Sequence, residues 1–266
     1  METKLMETLK REVVLKNLTH AAGGDEKFAM RFRSALVTLV TTNTNLQKCS
    51  VQSIMAAAAQ AATLKLPLNP SLGYAYIVPY GQQAQFQIGY RGLIQLAQRS
   101  GLYKRIKATR VYEGEMRNYD RFTGEYDRGE RLSDNVVGYY AYFELLNGFK
   151  AEVYMTKAEM ENHAAMYSKT YQNDRKYKNQ SSVWSTKFDS MAEKTVLRLL
   201  LSKFAPLSVD IELALTGDQT VDGEYLDNAE KVVDVETGEV VESETSETTK
   251  ESSTTTETTL LTIDFD

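Results

Sequence analysis

Cysteine is nearly absent from this chain. Cys49 is the only one in 266 residues, which excludes an internal disulfide and any zinc site built on several thiolates. Histidine is almost as scarce: His20 and His163 stand far apart without ligand-like spacing, so Cys-His and Ser-His catalysis have little material. No run of about 18 apolar residues and no N-terminal signal pattern occurs, which predicts a soluble cytoplasmic protein without membrane attachment. There is no G-x-x-x-x-G-K-[ST] stretch for a nucleotide. Gly89-Tyr90-Arg91-Gly92 has too few glycines, at the wrong spacing, for a dinucleotide fingerprint. No cofactor is expected, and Mg²⁺ is expected to have no site of its own.

What the chain does have is charge, unevenly placed. The net charge is −5, yet residues 217–266 hold 15 of the 36 acids and two of the 31 basic residues, a net of −13. The remaining 216 residues therefore carry 21 acids and 29 basic residues, a net of +8. A basic body steers polyanions, and an acidic tail is a separate feature. Its stretch E-S-E-T-S-E-T-T-K-E-S-S-T-T-T-E-T-T is too poor in apolar surface to offset ordering entropy and is expected to be disordered.

Apolar periodicity divides the body. Helical spacing runs over 3–18 and 25–40, broken at Gly23-Gly24, with Asp25 as an N-cap. A third helix starts after Ser50, and Pro67 and Pro70 follow it. Residues 74–92 alternate as a hairpin, 92–100 read as a short helix, and 103–112 as a strand. The run V-V-G-Y-Y-A-Y-F-E-L-L, then Asn147-Gly148, then F-K-A-E-V-Y-M predicts a second hairpin with a type I′ turn. Thr156 caps a helix to about Met166, 169–179 read as a loop, and a long helix spans 182–204. The expected fold is α+β: an antiparallel strand meander packed with helices, with 1–40 as a helical region open to subunit contacts, 41–216 as the core, and 217–266 as the tail.

Two functional classes compete for these residues. A metal-dependent nuclease would use Glu113, Glu115, Asp120 and Asp127, but Arg110, Arg117, Arg121, Arg128 and Arg131 interleave with them, and a solvated mixed-charge loop fits better. A nucleic-acid groove draws on four places where cations meet rings or amides. These are the first hairpin, with Lys65 ahead of it and Arg91 after it; the strand with Tyr103, Lys104, Arg105, Lys107 and Arg110; the segment with Lys169, Arg175, Lys176 and Lys178; and the long helix. There Lys187, Lys194 and Arg198 share one face at helical spacing. Cations neutralise phosphates while aromatic faces stack any base, which suits single strands without sequence readout. Gln83, Gln85 and Gln87 face opposite to Ala84, Phe86 and Ile88 and form an outward amide row. Pattern alone leaves open whether that row contacts nucleic acid or simply faces solvent. It also leaves open an RNA-binding or assembly protein using the same groove.

The stretch L-P-L-N-P-S-L-G-Y-A-Y-I-V-P-Y-G-Q-Q-A-Q-F-Q-I-G-Y-R-G-L-I-Q-L-A (66–97), with M-A-E-K-T-V-L-R-L-L-L-S-K (191–203), resembles the RecT family of phage and prophage single-strand annealing proteins. The similarity runs over about residues 30–210. The family pattern carries a Gly-Leu pair ahead of the proline-containing turn, where this chain has Lys65-Leu66. The resemblance implies ATP-independent binding of single-stranded DNA, annealing of complementary strands into duplex, ring or helical filament assembly, and a fold related to other annealing proteins. It also implies a bacterial host cytoplasm and a 5′→3′ exonuclease partner, and the residues themselves predict no catalytic site. The tail's apolar-acidic end L-L-T-I-D-F-D suits docking in a partner pocket, of either that exonuclease or host single-strand binding protein, and shielding of the subunit's own groove by the tail's charge is the other reading of it. The resemblance tips the amide row toward DNA. The expected groove lies between the meander and the 182–204 helix, with Lys187, Lys194 and Arg198 on one wall and Arg91, Lys104, Arg105, Lys107 and Arg110 on the other.

Overall fold

The computed structural model describes residues 7–206 and 208–218, together with the backbone of two short strands at 231–233 and 240–242. The expected disorder of the tail and its docking end lie outside the described residues.

The helical stretch expected over 3–18 breaks at Arg11, whose backbone is extended (φ −62°, ψ 149°): residues 7–10 are helical, and then come α1 (Glu12–Ala21) and α2 (Glu26–Thr42). Asp25 caps α2 by accepting from the Phe28 N–H at 3.0 Å. The apolar stripe Ala29, Phe32, Leu36 and Val40 recurs every three or four residues, so α2 buries one face. It packs in one core with α1, α3 (Val51–Thr63) and the hairpin β1 (Ala75–Tyr80)–β2 (Gln83–Ile88), followed by α4 (Tyr90–Arg99). The two N-terminal helices thus bury their apolar stripes in the same core as the first hairpin.

Beyond α4 comes an antiparallel sheet of order β3-β6-β7, made of β3 (Tyr103–Tyr112), β6 (Val136–Leu145) and β7 (Lys150–Thr156). Between β3 and β6 an excursion carries the small pair β4 (Met116–Arg117) and β5 (Asp127–Arg128). The β6–β7 turn is not type I′. Only Gly148 has positive φ (+89°), Gly148 N–H donates to Leu145 O, and Leu145 N–H donates to Phe149 O. This is a three-residue loop closed by a glycine bulge, in which Asn147 accepts from the Phe149 N–H.

The helices that follow cover one face of this sheet: α5 (Lys157–Tyr167), α6 (Lys169–Tyr177), α7 (Val183–Thr186) and α8 (Phe188–Phe204). The capping box Thr156–Glu159 starts α5. Two sequence expectations change here. Residues 169–177 are helical, because Ser168 caps them and Tyr171 and Asp174 turn inward. The 182–204 helix is split at Lys187, whose backbone (φ −139°, ψ 51°) leaves the helical region. A last helix, α9 (Val209–Gly217), closes the described body.

Helix α8 serves two cores at once. Ala192, Val196 and Leu200 meet Tyr139, Ala141 and Phe143 of the sheet. Leu197 and Leu201 join the core of the first hairpin, as do Ile211 and Ala214 of α9. At 3.6 residues per turn these sets lie on neighbouring sides of one helix. No helix among the described residues is long and apolar enough to cross a membrane.

Candidate nucleic-acid interface

Alternation along β3 sends successive side chains to opposite faces. Ile106, Ala108 and Arg110 pair with Phe143, Ala141 and Tyr139 on the helix side. Arg105, Lys107 and Thr109 pair with Glu144, Tyr142 and Tyr140 on the other side, and β7 extends these into three rows with Lys150, Glu152 and Tyr154. A register shift between Tyr103 and Arg105 inserts Lys104, so two consecutive cations serve one carboxylate. Lys104 Nζ lies 2.8 Å from Glu144 Oε1, and Arg105 Nε lies 3.9 Å from Glu144 Oε2. The hydrogen bond from Lys104 holds the Glu144 carboxyl below its ordinary range.

The excursion 113–135 folds back over the third row. The Tyr126 ring meets Tyr140 edge-on at 5.7 Å, and Tyr119 meets Tyr154 at 4.9 Å. The Arg131 guanidinium sits 3.4 Å over the Tyr112 ring. Burial, with Tyr126 alongside, pushes the Tyr140 phenol well above its usual value, so it stays neutral. The first row and the β3 and β6 members of the second remain open, while Gly124 of the excursion packs on Glu152. The open members floor a cleft of about 1010 Å³ whose lining includes Gln98, Tyr103, Lys104, Arg105, Lys107, Tyr126, Arg128, Tyr142 and Lys150. Arg105 keeps 72% of its side chain exposed. The Tyr103 phenol, by contrast, is raised to about 12 by burial, and its ring packs edge-on against Phe143. It is a wall, not a titrating group.

The first hairpin presents a second polar surface. Its register places Gln87, Gln85 and Gln83 opposite Tyr76, Val78 and Tyr80 on the outward face, while Ala84, Phe86 and Ile88 are buried. Gln87 donates to the Tyr80 hydroxyl at 3.1 Å, and Gln83 lies 3.5 Å from Ser50, the N-cap of α3. Helix α4 presses tightly on the strand entry: a Cβ on Gly89 would fall 2.0 Å from the Gly73 carbonyl oxygen, and one on Gly92 2.2 Å from that of Tyr74. Only glycine allows that approach. Arg91, Gln95 and Gln98 follow at i, i+4 and i+7 on α4, and Gln98 lines the cleft, so a polar stripe about 10 Å long joins hairpin to cleft. Lys65 sits beside the other end of α4. It adopts a left-handed backbone (φ +49°), and Arg99 clamps its turn by donating to the Leu64 and Lys65 carbonyls.

Several predicted cations are engaged or lie elsewhere. Arg110 is among the residues lining the cleft, but its guanidinium turns to the helix side, where it meets Asp189 at 3.1 Å and Glu193 at 3.0 Å. Tyr139 donates to the same Asp189 at 2.6 Å, and burial together with that bond raises its phenol far above the usual value. Lys194 and Arg198 are not on an open wall. Lys194 Nζ lies 3.2 Å and Arg198 Nε 3.8 Å from Asp218 Oδ2, and that carboxylate is fully buried. Lys187, outside the helix, does not share their face. The expected groove between meander and helix is in fact the apolar core of Ala192, Val196 and Leu200 against the sheet. Lys169, Arg175, Lys176 and Lys178 are exposed, but on α6, which belongs to the helix side.

The carboxylates considered for metal are engaged in their own turns. Glu113 accepts from Ser133, Glu115 from the Tyr112 N–H, Asp120 from the Phe122 N–H and Asp127 from Asn118. Among the described residues no group of three or more metal-ligating side chains assembles. Sequence reading missed Tyr126, Arg128, Tyr142 and Lys150 as cleft residues. The aromatic run of β6 was the available signal, but without polar alternation it did not say which rings look outward.

Comparison with known proteins converges on one family. The RecT family model matches residues 30–256. The uncharacterized protein YqaK of Bacillus subtilis (strain 168) is 39% identical over 235 residues, covering 88% of this chain and 77% of YqaK. Protein RecT of Escherichia coli (strain K12) is 32% identical over 216 residues, covering 70% of this chain and 75% of RecT. The chain belongs to the RecT family, the single-strand DNA-binding and annealing proteins of recombination.

Proposed function

We propose that the protein binds single-stranded DNA in the cleft on the open sheet face and anneals it to a complementary strand without ATP. The observation that carries this reading is the cleft: Arg105, Lys107, Tyr142 and Lys150 on its floor, with Tyr126 and Gln98 also lining it. Cations there meet phosphates, and neutral rings offer stacking without sequence choice. The polar stripe of α4 extends the path to Arg91 and the amides of the hairpin. Protein contacts run mainly to the DNA backbone, so bases stay available and Watson–Crick pairing supplies the specificity. The protein contributes alignment and charge neutralisation, not bond chemistry. Repeated copies in a ring or filament carry the path from one cleft to the next. The acidic tail is a docking segment for a 5′→3′ exonuclease or for host single-strand binding protein, in a bacterial cytoplasm.

The direct test mixes complementary oligonucleotides with and without protein, in the absence of nucleotide, and follows duplex formation. Faster annealing that weakens steeply with salt is expected. Unaccelerated pairing by folded protein, or preference for single-stranded RNA in competition, would sink the reading.

A further inference from the structure

The α6 cations stand on the opposite side of the sheet from the cleft. Between residues 168 and 181 the only acid is Asp174, and it is 2% exposed. It accepts from the Ser181 and Ser182 N–H groups and from the Ser181 and Ser185 hydroxyls, at 2.6–3.2 Å. Burial alone would raise this carboxyl, but those serine donors outweigh it and hold it far below the ordinary range. Its charge is therefore consumed inside the fold, where it fastens α6 to α7. The outward charge of the segment is wholly positive: Lys169, Arg175, Lys176 and Lys178 are all exposed.

Two further features separate this face from an ordinary solvated helix. Tyr177 is 66% exposed, with Lys176 Nζ 5.2 Å from its ring. Lys178 closes the helix with a left-handed backbone at φ +52°, a position where glycine or asparagine is less strained. A lysine there, beside an exposed ring, presents cation and aromatic together at the helix end. That pairing suits nucleic acid, whereas a carboxylate-rich peptide would need only the cations.

We propose that α6 is a second, separate DNA-backbone surface that holds the incoming strand while the cleft holds the first. The inference rests on the annealing reading of the cleft. A strand lying in the cleft is screened from α6 by the sheet and its helical layer, so the two surfaces take different segments. Holding a long second strand at α6 raises its effective concentration near the first and lets it test register repeatedly. The contact is to phosphates and is indifferent to sequence.

The test uses the full chain carrying Lys169→Ala/Arg175→Ala/Lys176→Ala, which leaves Asp174 and the left-handed Lys178 in place. Thermal melting checks the fold. Affinity for one labelled oligonucleotide should stay within about twofold of wild type. The rate at which the preloaded protein anneals a long complementary strand should drop about tenfold at low salt, and the difference should vanish as salt rises. An unchanged annealing rate overturns the proposal. Equal losses of first-strand affinity and annealing make α6 part of a single site and also overturn it. Faster annealing in the variant means that the surface holds the acidic tail instead. A parallel Arg105→Ala/Lys107→Ala protein separates the two readings: retained first-strand binding there would remove the cleft while leaving α6 to be judged by its own variant.

Discussion

Arg105 and Lys107 stand two residues apart on β3 and look out over the open sheet face. Lys194 and Arg198 stand one helical turn apart on α8 and look into the protein, at Asp218. The residue types are the same, and the surroundings differ. Beyond the outward face of β3, among the described residues, lies the partial roof of 113–135, which covers the third row and the β7 end of the second, where Gly124 packs on Glu152, and leaves Arg105 and Lys107 exposed. Against α8 lies α9, whose C-cap residue delivers a carboxylate to both cations. Whether a cation can meet DNA is therefore decided by the element that packs over it, not by its spacing along its own strand or helix.

The largest effect should come from breaking the buried side of this pair. Asp218→Ala leaves two enclosed cations without their shared carboxylate and should destabilise the fold by about 3 kcal/mol. Denaturant midpoints measure that loss. If the comparison is sound, DNA affinity of the fraction that remains folded keeps its wild-type salt dependence. Lys194→Met sharpens the point: a folded variant with a flatter salt slope would show that Lys194 does reach phosphate.

The open side should behave in the opposite way. Arg105→Ala/Lys107→Ala removes two exposed side chains, and stability should move by no more than about 0.5 kcal/mol. The salt slope of single-strand binding should fall by about 0.7 for each lost phosphate contact, and affinity by roughly tenfold at low salt. Titration by anisotropy at several salt concentrations checks both. A slope equal to wild type would mean that the open members of the first two rows meet solvent alone.

How far these fates were legible follows from the same physics. Alternation in Gln83–Ile88 fixed which side of β2 is buried, because a strand's period is two and a single face carried all the apolar residues. Caps at Asp25, Ser50 and Thr156 likewise matched, since each needs only its own residue and the next turn. The run V-V-G-Y-Y-A-Y-F-E-L-L has no such contrast. Tyr139 and Tyr140 are both buried, one under α8 and the other under Tyr126, so the cleft floor could not be read from the strand itself. The α8 cations were misplaced for a similar reason. Their cover comes from α9 and Asp218, 24 residues after Lys194, and a helical projection contains no information about it.

Lys65 offers a smaller and subtler contrast. It is an exposed cation, like Arg105, but its backbone is left-handed, a region that disfavours any side chain with a Cβ. The Arg99 guanidinium, bonded to the carbonyls of Leu64 and Lys65, steadies that turn. Lys65→Gly should therefore stabilise the fold by about 1 kcal/mol, read as a higher melting temperature. If Lys65 also meets DNA, the same variant gains stability while losing part of its salt slope, a split that no packing effect produces.

The hairpin amides give the smallest expected change in stability and the most discriminating one in function. Gln83, Gln85 and Gln87 stand opposite Tyr80, Val78 and Tyr76 on an outward face, and among the described residues their side chains bond Gln87 to Tyr80 and bring Gln83 into a long contact with Ser50. Replacing all three by alanine removes no buried group, so stability should shift by less than about 0.5 kcal/mol. The amides carry no charge, so the salt slope should stay where it is even if affinity falls. Annealing should slow, because an amide donates and accepts and can hold sugars or base edges in register where a cation holds only phosphate. Slower annealing at an unchanged slope would separate the hairpin from the cleft as a contact of a different kind. Annealing and stability lost in equal measure would return the row to packing and leave the cations of β3 as the whole of the DNA path.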